Sequence, residues 1–128
     1  MSILLDTHAA LWYALGDGRL SAKARATIND EQEQRFVSPA SYWEIAIKIR
    51  LGAYALNTTF QQFWNGALQR CGYTILPIEI AHADRICSLP LIHRDPFDRM
   101  IVAQALVENL PLVSNDALLE GYNISRIW

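Results

Sequence analysis

Short aliphatic runs, each too brief to be a helix and two of them followed at once by polar residues and an acid, constrain this chain more than any other feature. Ile3-Leu4-Leu5, Phe36-Val37, Thr74 to Leu76 and Leu112-Val113 are separated by longer stretches with helical patterning. Unbroken apolar runs of this length suit strands buried on both faces of a parallel sheet. The stretches between them carry their own start and stop signals. Over residues 59 to 72, Phe60, Phe63, Trp64, Ala67 and Leu68 follow the i, i+3, i+4, i+7, i+8 rule, Thr59 and Gln62 fit a capping box, and Gly72 suits the stop. Leu20 to Asn29 reads as a helix capped by Ser21, and Pro39 to Leu51 as one opened by proline and closed at Gly52. Glu79 to Ser88 reads as a helix ending before Pro90, and Asp95-Pro96 opens another that runs through Ile101, Val102 and Ala105 to about Leu110. This alternation predicts an α/β fold of three layers, α/β/α, with right-handed crossovers around a short, mainly parallel central sheet.

Nothing rich in Pro, Gly or Ser divides the 128 residues, so residues 1–128 read as a single domain. A chain of this size hides roughly two-thirds of its unfolded surface, enough for a core without disulfides. Cys71 and Cys87 therefore need not staple anything. Eleven Lys and Arg against thirteen Asp and Glu leave a formal charge of -2, so no global basic field advertises a polyanionic partner. Asp6 and His8 interrupt the first apolar run and no basic residue precedes it, which argues against a secretory signal. The apolar stretches fall short of the roughly 20 residues a membrane helix needs. The expected location is cytoplasmic, with no membrane partner.

In a sheet of this kind ligands bind beyond the carboxyl ends of the strands. Ile3-Leu4-Leu5 delivers Asp6 there, and Leu112-Val113 delivers Ser114, Asn115 and Asp116. If the two strands are parallel neighbours, both carboxylates emerge at one rim. Glu44 is the only acid between Glu33 and Glu79, inside the apolar segment Tyr42 to Ile47, and Asp98 stands one turn into the helix opened by Pro96. A lone carboxylate in so apolar a setting is costly unless something binds it. Each acid also has a plain structural reading. Asp6 and Asp116 suit N-caps, Glu44 can pair with Lys48 at i+4, and Asp95 with Asp98 would make a charged variant of the capping box. Taken together, however, four acids stand at strand ends and first helical turns, the places that converge in this architecture. Carboxylates a few ångströms apart repel by about 4 kcal/mol per pair at an effective dielectric near 20, so such a cluster must lose charge or recruit cations. Mg²⁺ or Mn²⁺ accepts oxygen ligands and keeps waters, and it suits phosphodiester hydrolysis by acidifying a water and neutralising the departing oxygen.

These residues resemble a known family. Leu4-Leu5-Asp6-Thr7-His8, Ser41-Tyr42-Trp43-Glu44-Ile45-Ala46, the string Arg94 to Ala105 that begins Arg-Asp-Pro-Phe-Asp-Arg, and Leu112-Val113-Ser114-Asn115-Asp116 resemble the PIN domain, in order and over nearly the whole chain. Among PIN proteins they look most like VapC-type toxins of bacterial toxin-antitoxin pairs. The resemblance implies an RNase H-like fold and a metal-dependent endoribonuclease, with Mg²⁺ or Mn²⁺ as cofactor and a 5′-phosphate product. It implies that Asp6, Glu44 and Asp98 are the three core acids, with Asp116 the fourth and more variable one. Thr7 matches a helper position, Ser114 stands where threonine is more usual, and Asp95 takes a capping role. A homodimer and a small VapB-type antitoxin are the implied protein partners, and RNA the implied substrate.

With the four acids set aside, eleven basic residues face nine acidic ones, and the rest of the chain leans to +2. Lys48 and Arg50 follow Glu44, and His93, Arg94 and Arg99 flank Asp98, so Lys48, Arg50, Arg94 and Arg99 are candidates for RNA phosphate contacts; salt bridges are the plainer reading. Cys71, His82, Cys87 and His93 lack zinc-site spacing and read as incidental. Trp12, Trp43, Trp64 and Trp128 could stack bases, though aromatics at helical spacing more often fill cores, and Trp128 is expected to anchor the C-terminus. A hydrophobic share of 52% leaves apolar surface for a partner. An aspartyl-phosphate enzyme fits less well, because His8 occupies the place of the second acid that haloacid-dehalogenase-like enzymes require, and Ser38 with Pro39 follow the strand where a receiver domain needs its Asp. A PIN-like scaffold without activity would be expected to have lost an acid, and a stand-alone RNA-processing nuclease is the alternative without an antitoxin.

Overall fold

The computed structural model describes all 128 residues. Five strands, β1 (Ser2–Leu5), β2 (Gln34–Val37), β3 (Tyr73–Ile75), β4 (Leu112–Val113) and β5 (Arg126–Ile127), form one sheet in the order β3-β2-β1-β4-β5. Every pairing is parallel. Six α-helices lie between them: α1 (Thr7–Leu15), α2 (Ala22–Asn29), α3 (Pro39–Arg50), α4 (Phe60–Arg70), α5 (Ile80–Cys87) and α6 (Pro96–Glu108). A 3₁₀-helix, Ala117–Tyr122, precedes β5. No helix is long and apolar enough to cross a membrane.

The alternation of side chains along β1 makes the three layers. Ile3 and Leu5 point into a core with Ala9 to Trp12 of α1, Ala24 and Ile28 of α2, and Phe63, Trp64 and Ala67 of α4. Leu4 points the other way, to Ile101, Val102 and Ala105 of α6 and to Leu112, Leu119 and Tyr122. The central strand is thus buried on both faces, which is why it reads as an uninterrupted aliphatic triplet.

Local signals set the helix ends. Thr59 Oγ1 accepts from Gln62 N at 3.1 Å and Gln62 returns a contact to Thr59 N at 3.3 Å, completing the expected capping box. Gly72, at φ +65°, makes the turn from α4 into β3, and a Cβ there would stand 3.2 Å from Arg35 Nη1. Two readings shift and one strand is added. β3 starts at Tyr73 and stops before Leu76, and its Thr74 and Ile75 are exposed because it is an edge strand, not one covered on both faces. The last helix stops at Glu108, where Asn109 takes a left-handed conformation with φ 54°. β5 pairs with β4 through only two residues, too few to leave a pattern. Trp128 beyond it packs beside Trp12, ring centroids 5.9 Å apart.

Candidate active site

Strand order reverses between β1 and β4: chain order runs outward to β2 and β3 on one side and continues as β4 and β5 on the other. Leu5 pairs with Val113, so the next residues of both strands leave the sheet side by side. This is the topological switch point where open α/β sheets place ligands. Asp6, only 5% exposed, donates its backbone N–H to Val113 O at 3.0 Å. Its Oδ1 accepts from Ala9 N at 2.9 Å and so caps α1. The capping and cluster readings of this acid hold together.

The other acids reach the same rim from separate elements. Ser38, immediately after β2, caps α3 by accepting from Ala40 N at 3.1 Å, and α3 carries Glu44 inward to 4% exposure. Glu44 Oε1 accepts from Thr7 Oγ1 at 2.9 Å, and Oε2 lies 2.8 Å from Lys48 Nζ. Thr7 Oγ1 is also 3.0 Å from Ser41 Oγ. Asp95 caps α6, its Oδ1 accepting from Phe97 N and Asp98 N at 2.8 and 3.1 Å, which places Asp98 in the first turn. Asp116 caps the 3₁₀-helix through Leu118 N at 3.0 Å, and its own N–H donates to Ser114 Oγ at 3.1 Å. Asp6, Asp98 and Asp116 line one open cleft of about 490 Å³ with His8, Trp12, Asn115 and Ala117.

Burial pushes the Asp6 carboxyl up, against the Ser114 hydroxyl, the Ala9 N–H and the His8 charge, with Glu44 adding to the rise. Asp98 is pushed up to about 7, first by burial and then by the negative charges of Asp95, Asp6 and Glu44. Each of these acids therefore feels others that are distant in sequence. The Lys48 ammonium is held above its ordinary range by Glu44. A pocket built of carboxylate oxygens and carrying more negative charge than burial favours fits a hard divalent cation.

His93 enters this cluster, which corrects its reading as an incidental histidine. Its Nε2 lies 3.0 Å from Asp116 Oδ2 and 3.3 Å from Asp98 Oδ2, and the three ligand-type atoms lie within 4.8 Å of one another. The sequence signals were its place two residues before the Asp95 cap and its position flanking Asp98. Arg99 is corrected too. Its guanidinium points back along the chain and donates to Pro90 O at 2.8 Å, Leu89 O at 3.2 Å and His93 O at 3.4 Å, so it holds a loop and does not face a phosphate. Arg50 and Arg94 are exposed, and Lys48 sits against Glu44. Trp12 and Trp64 lie in the core, whereas Trp43, next to Glu44, is 60% exposed.

A PIN domain family model matches residues 3–123. No curated protein sequence matches the chain. Among solved structures, VapBC2 from Rickettsia felis bound to a DNA fragment from its promoter aligns with a TM-score of 0.73 at 14% identity, covering 98% of this chain and 97% of that one. VapBC-1 from nontypeable Haemophilus influenzae aligns at 0.65 and 16% identity, over 98% and 96%. FitAcB from Neisseria gonorrhoeae aligns at 0.61 and 19%, over 98% and 96%. At these identities the likeness is one of fold.

Proposed function

Because the chain belongs to the PIN domain family, we propose that it is a metal-dependent endoribonuclease acting as the VapC-type toxin of a toxin-antitoxin pair. The observation that carries this reading is the cleft at the ends of β1 and β4 lined by Asp6, Asp98 and Asp116, with buried Glu44 of α3 close enough to help push Asp98 up to about 7. Asp6, Asp98, Glu44 and, at the rim, Asp116 would hold Mg²⁺ or Mn²⁺. Such an ion supplies an acidified water and charge neutralisation for phosphodiester hydrolysis.

The chain's own residues do the arranging. Thr7 and Lys48 hold one oxygen each of Glu44 and keep that carboxylate turned to the cluster. Ser114 orders the turn to Asp116 by accepting its N–H. Exposed Arg50 and Arg94 flank the acids and suit phosphates of a bound RNA strand. The protein would act where its RNA is, in the cytoplasm.

Two observations support a protein partner. The solved relatives include toxin-antitoxin complexes. On α3 and just beyond it, Trp43, Ile47 and Leu51 are 60%, 36% and 76% exposed at four-residue spacing, an apolar stripe left largely open to solvent although the Trp43 ring meets Phe97 edge-on at 5.2 Å. We assign this chain a VapB-type antitoxin and a homodimeric state on those grounds.

Single-turnover cleavage of an RNA pool by wild type, Asp98→Asn and Glu44→Gln proteins, with Mg²⁺ or with EDTA, tests the activity. Cleavage is expected only from the wild type with metal. Equal cleavage by all three, or in EDTA, would end the metal-nuclease reading.

A further inference from the structure

His93 is held in place by a scaffold more elaborate than a surface histidine needs. Its N–H donates to the hydroxyl of Tyr122, a residue in the core, at 2.7 Å. Its carbonyl accepts from Arg99, the same guanidinium that grips Leu89 O and Pro90 O. The ring is oriented as well, because Asp95 N donates to Nδ1 at 3.1 Å. An Nδ1 that accepts puts the ring proton on Nε2, and Nε2 is the atom that lies between Asp98 Oδ2 and Asp116 Oδ2.

That tautomer decides between two roles. To ligate a cation, Nε2 would have to present a lone pair, which places the proton on Nδ1, facing the Asp95 N–H, donor against donor. As a donor, His93 loses nothing and gives two carboxylates a shared partial positive charge. It also occupies the space beside the two carboxylates that would hold a cation. Asp116 Oδ1 accepts from Leu118 N and Oδ2 faces His93 Nε2, so both oxygens of Asp116 already carry a donor.

We propose that His93 is a placeholder for the cation: in the metal-free protein its Nε2–H donates to Asp116 Oδ2 and stands 3.3 Å from Asp98 Oδ2, holding the two carboxylates beside one another, and this contact would have to yield before a divalent ion could bind there. The inference rests on the metal-site reading above and concerns how the site is kept intact before it is loaded. It makes His93 a positioning residue that competes with the ion, so its removal strengthens metal binding. A ligand or a supporting hydrogen bond would have the opposite sign, since losing a partner of that kind weakens affinity about 10- to 100-fold.

The test is a calorimetric Mn²⁺ titration of the full-length wild type, His93→Phe and His93→Gln proteins, with circular dichroism to establish folding. Phe keeps the ring volume without the donor, and Gln restores an amide donor. His93→Phe is expected to bind Mn²⁺ about tenfold more tightly than wild type, with Gln returning the affinity towards the wild-type value. Independently, ¹⁵N NMR of the wild-type imidazoles in EDTA should find His93 protonated at Nε2 and not at Nδ1, with that resonance moving on addition of Mg²⁺. Unchanged or weaker binding by His93→Phe, or a proton on Nδ1, overturns the placeholder and leaves the metal site standing. A wild type that binds no Mn²⁺ overturns both. Should His93→Phe not fold, the NMR result decides alone.

Discussion

The carboxyl of Asp98 is the residue on which burial and like charge act most strongly. Raised from 3.8 to about 7, it binds more protons in the folded than in the unfolded chain at any pH between those values. Stability of the metal-free protein therefore falls as the pH rises from about 4 to about 7, by about 2–4 kcal/mol from this group. Denaturant unfolding in EDTA should find that fall in the wild type and a flatter profile in Asp98→Asn; equal slopes would remove Asp98 as its source. Thr7 makes a second prediction at this scale. Thr7→Val loses the donor to Glu44 Oε1 and should weaken Mn²⁺ binding about 10- to 100-fold, whereas Thr7→Ser should keep it. Single residues were the best read in the sequence where their partner is local: Asp95 caps α6 and Lys48 pairs with Glu44 as spacing implies. His93 was legible only as a neighbour of Asp98, because its other partners Asp116 and Tyr122 are 23 and 29 residues away.

At the start of α6 the element does two things at once. Its N-cap presents Asp98 to the cleft, and Arg99, the next residue, turns to the opposite task of tying down the 89–93 loop. Charge alone made Arg99 look like Arg94, and only the direction of the side chain separates them. Arg99→Ala should accordingly cost about 2 kcal/mol of stability and leave the salt dependence of RNA binding unchanged. Arg94→Ala should leave the melting temperature alone and lower the slope of log K against log salt by about 0.7–1. The reverse pattern in these two measurements would exchange their roles. Five of the six helices were legible to within two residues because caps and prolines act over one turn, whereas the end of α1 was not read. The outer strands were not: β3 is exposed along an edge and β5 is two residues long, so neither carries a distinctive pattern.

For the whole molecule, one sheet has to bring β1, β2 and β4 to a common rim before the acids meet, and the cluster then works against the fold until a cation or proton offsets it. Metal should stabilise the native state as any ligand does, by about 2.7 kcal/mol at a hundred times its dissociation constant. In a thermal melt, Mn²⁺ is expected to raise the midpoint of the wild type by several degrees and to leave Asp6→Asn/Asp98→Asn unmoved; a rise in both would place the binding elsewhere. The sequence by itself determined the alternation of strands and helices, the parallel class of the sheet, and the four acids as the residues to watch. Those depend on hydrophobic period, capping and the cost of lone carboxylates, all of which act along the chain. Tertiary structure alone decided that β4 lies beside β1, that His93 enters the cluster while Arg99 leaves it, and that the Asp98 carboxyl is raised. These are contacts between elements far apart in sequence, made by packing on both faces of the sheet, and no local preference of the chain specifies them.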